Sequence, residues 1–161
     1  MSQPYEEIIR GETLLRLAPD VRHEQICERL HRLVELCVAQ LSSTRLLASR
    51  SVVQLAAGTM LRPDLALVTS ANGKLWLAVE IVNSQDHRID TVTKKAIYEE
   101  INLPRLWMVD PRYDNVEVYH SSPYGLALKG ILASREVLQE NLLPNFRVTI
   151  ANLFKADASE R

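Results

Sequence analysis

Two apolar runs flank an Asn-Gly pair and constrain the fold more than anything else in the chain. They are Pro63-Asp64-Leu65-Ala66-Leu67-Val68 and Leu77-Ala78-Val79-Glu80-Ile81-Val82, with Asn72-Gly73 between them. Asn and Gly tolerate the backbone angles that a tight turn needs, so the pattern reads as an antiparallel hairpin. Each run carries one carboxylate. An ionised carboxylate buried without a partner costs several kcal/mol or takes up a proton, so two in neighbouring strands need a reason, the simplest being a cation held between them.

A loop centred on Asn72 sets Asp64 directly opposite Glu80. A strict two-residue Asn72-Gly73 turn shifts the frame by one and sets Glu80 against Leu65. In the first frame the like charges repel, and a divalent metal converts that penalty into a binding site. Plainer readings remain open: Asp64 as a strand-start carboxylate after proline, Glu80 as the partner of an arginine.

The rest of the chain supplies elements around this hairpin. Asp20 is an N-cap for a helix running to about Leu41, with Ile26, Leu30, Leu33, Cys37 and Leu41 as its apolar stripe. Thr13–Leu17 and Ser51–Ala57 read as strands, and a second helix runs from about Asp90 to Asn102, stopped before Pro104. Leu106–Asp110 and Val116–Tyr119 are further strands, and Gly125–Leu128 pairs with the latter. The segment through Leu142 to Phe154 finishes the core. This order predicts an α/β (α+β) fold with a central mixed sheet flanked by helices.

On the second helix, Lys94 shares a face with Tyr98 and Ile101, whereas Lys95 aligns with Glu99 on a solvated face. Lys94 is therefore the amine aimed at the sheet, where it meets the carboxylates or a phosphate, or merely snorkels past apolar neighbours. Tyr98, one turn on, holds the lysine or a ligand through its hydroxyl, or fills the core. His23 lies near the buried face of the first helix as a hydrogen-bonded histidine, and Glu24 is solvated. Trp76 and Trp107 are core residues.

The 161 residues, 47% hydrophobic, fit one domain spanning 1–161 with a core over about 5–154 and a short polar tail. Lys+Arg 19 against Asp+Glu 20 leaves a formal net charge of -1, so a polyanion would have to be held by a local patch. Arg45, Arg50, Arg62 and Arg88 are candidates for one around the hairpin. Cys27 and Cys37, ten helical residues apart, are too distant for a disulfide and read as reduced thiols of a cytoplasmic protein. The N-terminal stretch lacks a signal-peptide pattern, and no apolar run spans a bilayer. His31, His87 and His120 have no mutual metal-ligand spacing. Phosphate-loop, dinucleotide and serine-hydrolase motifs are absent.

Tyr5-Glu6-Glu7-Ile8-Ile9-Arg10-Gly11-Glu12, His23, Pro63-Asp64, Val79-Glu80-Ile81-Val82-Asn83-Ser84, Asp90 with Lys94 and Tyr98, Leu106-Trp107-Met108-Val109-Asp110-Pro111 and Leu143-Pro144-Asn145-Phe146 together closely resemble the Uma2 family. That bacterial family is placed in the PD-(D/E)XK nuclease-like superfamily. The resemblance implies a restriction-endonuclease-like core and Mg2+- or Mn2+-dependent endonucleolytic cleavage of DNA. It makes Asp64, Glu80 and Lys94 catalytic, with Asp64, Glu80 and the Ile81 carbonyl as metal ligands. Tyr98, Ser84, Asp90 and His23 support them. One departure concerns the superfamily's usual lysine position, two residues beyond the strand acid, which Val82 occupies here. Lys94 would restore the amine from the neighbouring helix. DNA is the implied partner, with a homodimer as the assembly. The alternatives are an inactive nuclease-fold module for nucleic-acid binding or protein interaction, and a buried salt-bridge triad serving stability alone.

Overall fold

A computed structural model describes residues 2–156. Along the chain come β1 (Tyr5–Ile9), β2 (Glu12–Arg16), α1 (Val21–Val38), β3 (Thr44–Leu46), β4 (Val53–Ala56), β5 (Thr59–Leu61), β6 (Leu65–Thr69) and β7 (Leu75–Ile81). A wide π-type turn (Ile89–Lys94) then leads into α2 (Lys95–Glu100). The chain continues through β8 (Arg105–Asp110), β9 (Asn115–Ser122), β10 (Gly125–Ala133), β11 (Val137–Glu140), β12 (Leu143–Thr149) and α3 (Ile150–Phe154).

The expected hairpin is β6–β7. Thr69 N–H donates to the Lys74 carbonyl at 2.9 Å and Gly73 N–H to that of Thr69 at 2.8 Å, with Gly73 at φ 67°. Leu65 faces Val79, Ala66 faces Ala78 and Leu67 faces Leu77, which is the frame that sets Asp64 against Glu80. A bulge at Trp76 then brings Val68 opposite Leu75. The extra residue reverses the alternation, so Trp76 joins the same face as Leu77 and Val79.

β6 and β7 lie inside a six-stranded mixed sheet of order β10-β9-β8-β7-β6-β3, in which β7 and β8 run parallel. The crossover between them carries the π-type turn and α2. A four-stranded sheet, β2-β1-β5-β4, and the β11–β12 hairpin complete the described elements.

On one face of the large sheet, α1 buries Ile26, Leu30 and Val34 against Leu65, Leu67 and Val79. Trp107 there meets Phe146 of β12, ring centroids 5.3 Å apart. Each such aliphatic side chain contributes roughly 1.5–3 kcal/mol by leaving water. On the other face Ile97, Tyr98 and Leu103 cover Ala66, Ala78 and Met108, joined by Leu61 of the smaller sheet. The α/β architecture with a central mixed sheet is as expected, and both tryptophans are core.

Several boundaries differ. Asp20 caps α1 through its side chain to His23 N–H at 2.7 Å, but the helix stops at Val38. There Leu41 N–H turns back to the Val38 carbonyl, tightening the end while Leu41 still packs on the core. The second helix opens as a π-type turn rather than as regular α-helix. Lys95 does not pair with Glu99. Its ammonium lies over the Tyr119 ring, 4.5 Å from the centroid, while Glu99 accepts from Leu126 N–H. β1, β3 and β5 escaped the sequence reading because they are short or carry charges, and β11–β12 lay inside the finishing segment. Among the described residues no helix is long and apolar enough to cross a membrane.

Candidate active site

The site forms where four elements converge beside the C-terminal end of β7. Glu80, alternating with Ala78 and Val82, faces the α2 side of the sheet and is 1% exposed. Asp64 stands just before β6, held by the β6–β7 register. The π-type turn brings Asp90 and Lys94, four residues apart, into the interior together. Single π turns of this kind recur at functional sites.

Lys94, wholly buried, donates to Glu80 at 2.7–2.8 Å. Its ammonium also lies 2.8 Å from a Glu7 oxygen. The Tyr98 hydroxyl donates to Glu80 Oε1 at 2.6 Å. Of the sequence-derived triad, Glu80 and Lys94 are thus in direct contact, with Tyr98 joined to Glu80, whereas the hydrogen-bond and ion-pair partners of Asp64 are other residues.

Asp64 has a different environment. Its Oδ2 accepts from Ile81 N–H at 2.7 Å and lies 3.5 Å from His23 Nε2, while Oδ1 accepts from Arg50 at 3.1 Å. His23 Nε2 also lies 3.0 Å from the Ile81 carbonyl. Behind Asp64, His31 Nε2 reaches its main-chain carbonyl at 2.8 Å. Glu24 is not simply solvated, since Arg50 bridges it to Asp64.

Glu7 was not singled out by the sequence reading. Its carboxylate binds Lys94, the Arg16 guanidinium at 2.6 Å and Arg62 N–H at 2.7 Å, with almost no exposure. Arg16 also binds Asp90 at 2.9 Å and Asp86 at 2.8 Å, locking the β1–β2 hairpin over the cluster. A signal was present: Arg10-Gly11, with φ of 50° and 83°, is a two-residue hairpin turn between two short strands. In such a strand Glu7 alternates with Ile9, which packs inward. Asp90 joins the cluster through Arg16 and the Asn83 N–H. Ser84 does not. It is exposed in a cleft of about 130 Å3 shared with His23, Arg22 and Arg112. Of the four arginines proposed around the hairpin, Arg50 contacts Asp64, and Arg62 donates to the Arg50 carbonyl.

This packing separates the two acids. Burial pushes Asp64 upward, but the His23 charge and hydrogen bond, with Ile81 N–H and Lys94, bring it down to about 2. Burial raises Glu80 to about 8, and the Asp90, Asp64 and Glu7 carboxylates add to this against the pull of Lys94. Burial disfavours the Lys94 cation, yet Glu80, Glu7 and Asp90 hold its pKa above the ordinary value. His23, desolvated but beside Asp64, rises to about 9. The surroundings thus push the two acids in opposite directions, Asp64 toward its ionised form and Glu80 toward its neutral one, a split of the kind used by paired acids in catalysis.

The candidate donors are the Asp64 and Glu80 carboxylates and the Ile81 carbonyl, oxygen ligands of the kind suited to a hard cation. Mg2+ ordinarily takes one or two carboxylates and completes its shell with water and phosphate. No group of three or more His, Cys, Asp or Glu able to hold a metal occurs among the described residues. In this arrangement the Asp64 and Glu80 carboxylates and the Ile81 carbonyl are engaged by His23, Arg50, Lys94 and Tyr98, so an ion there would have to displace some of those contacts and complete its shell with water and substrate.

A family profile, Uma2, described as "Putative restriction endonuclease", matches residues 2–151. The fold is similar to the crystal structure of "a putative nuclease belonging to DUF820" from Anabaena variabilis ATCC 29413. The TM-score is 0.78 at 14% identity, with 95% of this chain and 91% of that one covered. No curated protein matches the chain.

Proposed function

Because the chain belongs to the Uma2 family, matched over residues 2–151, we propose that it is a metal-dependent endodeoxyribonuclease that hydrolyses phosphodiester bonds. The observation that carries this reading is the convergence of two buried carboxylates, Asp64 and Glu80, from the β6–β7 hairpin with the buried Lys94 ammonium that binds Glu80 from the neighbouring turn.

Asp64, Glu80 and the Ile81 carbonyl would hold Mg2+ or Mn2+. Such an ion supplies activation of water and neutralisation of phosphate charge when bound. The Lys94 ammonium, fixed by Glu80 and Glu7, stabilises negative charge that accumulates on the scissile phosphate. Tyr98 orients Glu80 through its hydroxyl, and Arg16 with Asp90 holds the turn that carries Lys94. His23 keeps Asp64 ionised and fixes the Ile81 carbonyl.

A second reading, an inactive nuclease-fold module, is favoured by the completeness of the ion pairing: Asp64, Glu80 and Ile81 already accept from His23, Arg50, Lys94 and Tyr98. Incubation of supercoiled plasmid with the protein and Mg2+ or Mn2+ separates the two. The nuclease nicks or linearises the plasmid, EDTA stops it, and folded Asp64→Asn, Glu80→Gln and Lys94→Met variants do not cut. Cutting that survives in all three variants sinks the assignment of the site. DNA binding without cutting in the wild type selects the inactive module.

A further inference from the structure

Three cations of the candidate site, Lys94, Arg16 and Arg50, are turned inward. Lys94, Arg16 and Arg50 are each bound to at least two carboxylates, so none is free to meet a polyanion. Arg22, Arg105 and Arg112 are likewise paired with Asp114, Glu140 and Asp110. A chain of formal net charge -1 that holds a nucleic acid needs unneutralised cations elsewhere.

One groove gathers several of them. Between α1, β12 and the end of α3 runs a groove of about 800 Å3 whose lining includes Arg29, Arg32, Arg147 and Lys155 but no carboxylate. Arg29 is structural, donating to the Leu153 and Lys155 carbonyls at 2.6 and 3.0 Å and so fixing the backbone that carries Lys155. Arg32, Arg147 and Lys155 are exposed, and among the described residues they form no ion pair. Leu33 and Leu36 line the same groove, Leu36 at 69% exposure. Like-signed charges over low-dielectric walls focus an electrostatic field. The absence of an aromatic from the lining argues against stacked bases and for contacts to the phosphodiester backbone.

We infer that this groove is an accessory docking surface for the phosphate backbone of a nucleic acid, engaged through Arg32, Arg147 and Lys155 away from the cleavage site. The inference rests on the nuclease reading for the class of polyanion, while its geometry is independent of the acid–lysine cluster.

The test is fluorescence anisotropy with a short fluorescein-labelled DNA duplex in EDTA, so that no cutting intervenes, over a salt titration. The Arg32→Glu/Arg147→Glu/Lys155→Glu variant binds on the order of a hundredfold more weakly. Its slope of log affinity against log salt becomes shallower by about 0.9 for each phosphate that the variant leaves unneutralised. The neutral Arg32→Gln/Arg147→Gln/Lys155→Gln variant, checked for folding by circular dichroism, lies between the two. Wild-type affinity and slope in the folded variants overturn the groove, as does an absence of duplex binding by the wild type. A glutamate-rich peptide that outcompetes the duplex through the same three residues also overturns it, by making the occupant an acidic protein. Plasmid cutting distinguishes the two failures: groove-dependent binding without Mg2+-dependent cutting removes the nuclease reading alone, and cutting with an unchanged salt slope removes the groove alone.

Discussion

The buried cluster around Lys94 and the open groove around Arg32 use the same residue types for opposite ends. In the cluster Lys94 and Arg16 are each bound by two or more carboxylates and are almost fully buried. In the groove three cations stand in solvent without a carboxylate partner among the described residues. A near-zero net charge conceals both regions, because it averages a neutralised interior with a polarised surface. Charge in the first region orders the protein; in the second it is available for capture.

The largest expected effect breaks the cluster itself. Lys94→Met leaves Glu7 and Glu80 facing one another without their shared ammonium. Removing one partner from a buried pair costs about 3–5 kcal/mol, which lowers the Tm of a chain of this size by roughly 10 °C. The cost grows from acid to alkaline pH, since protonation of Glu80 relieves the repulsion at the acid end. A Tm within about 2 °C of wild type, by calorimetry across pH, would show that Lys94 does not organise the interior.

Next in size is the pH dependence of the metal-free protein. Glu80 titrates at about 8 when folded against an ordinary 4.5. Its contribution to stability is therefore full below 4.5 and is lost as pH rises through about 8. His23 has the same sense, its contribution full below 6.5 and lost as pH rises through about 9. Asp64 is opposite, contributing above 3.8 and losing that contribution as pH falls through about 2. Glu80→Gln removes the first of these dependences. Its Tm, measured beside wild type from roughly pH 4.5 to 9, gains on wild type as pH rises. Parallel curves for the two proteins would mean that Glu80 is ionised throughout.

The cluster was more legible in the sequence than the groove, for a physical reason. Asp64 and Glu80 stood out because charge in an apolar strand is an anomaly, and the Asn72-Gly73 turn left only two frames for the pair. Lys94 was separated from Lys95 by helical face alone, although the segment proved to open as a π-type turn. Glu7 was missed because a strand with two adjacent glutamates has no visible apolar alternation until Arg10-Gly11 is seen as its turn. The groove had no such signature. Arg32, Arg147 and Lys155 come from distant elements, and only the packing of β12 and α3 against α1 puts them together. The end of α1 at Val38 was likewise invisible, since Leu41 continues the apolar stripe from a non-helical turn.

A smaller effect tests how the cluster is graded within itself. Tyr98→Phe deletes the 2.6 Å hydrogen bond to Glu80 Oε1 but leaves Lys94 in place. One lost donor to a buried carboxyl costs about 1–3 kcal/mol, less than the loss of the ammonium. Denaturant titration should therefore rank Tyr98→Phe between wild type and Lys94→Met. A cost equal to that of Lys94→Met would make the hydroxyl, rather than the amine, the chief partner of Glu80.

The smallest effect lies in the groove. Arg32 and Arg147 hold no partner among the described residues, so Arg32→Gln/Arg147→Gln removes no ion pair and unburies no apolar surface. Substitutions at such positions ordinarily change stability by within about 0.5 kcal/mol, a Tm shift of roughly 1–2 °C. Removing two like charges from one groove also relieves their mutual repulsion, so the shift is expected upward if it is resolved at all. A large loss of Tm in this variant would place the two arginines in a structural network and erase the distinction between a neutralised interior and an available surface. A stable variant with weakened salt-dependent DNA binding would instead separate the two regions by experiment, since a change that leaves the fold untouched would then alter capture alone.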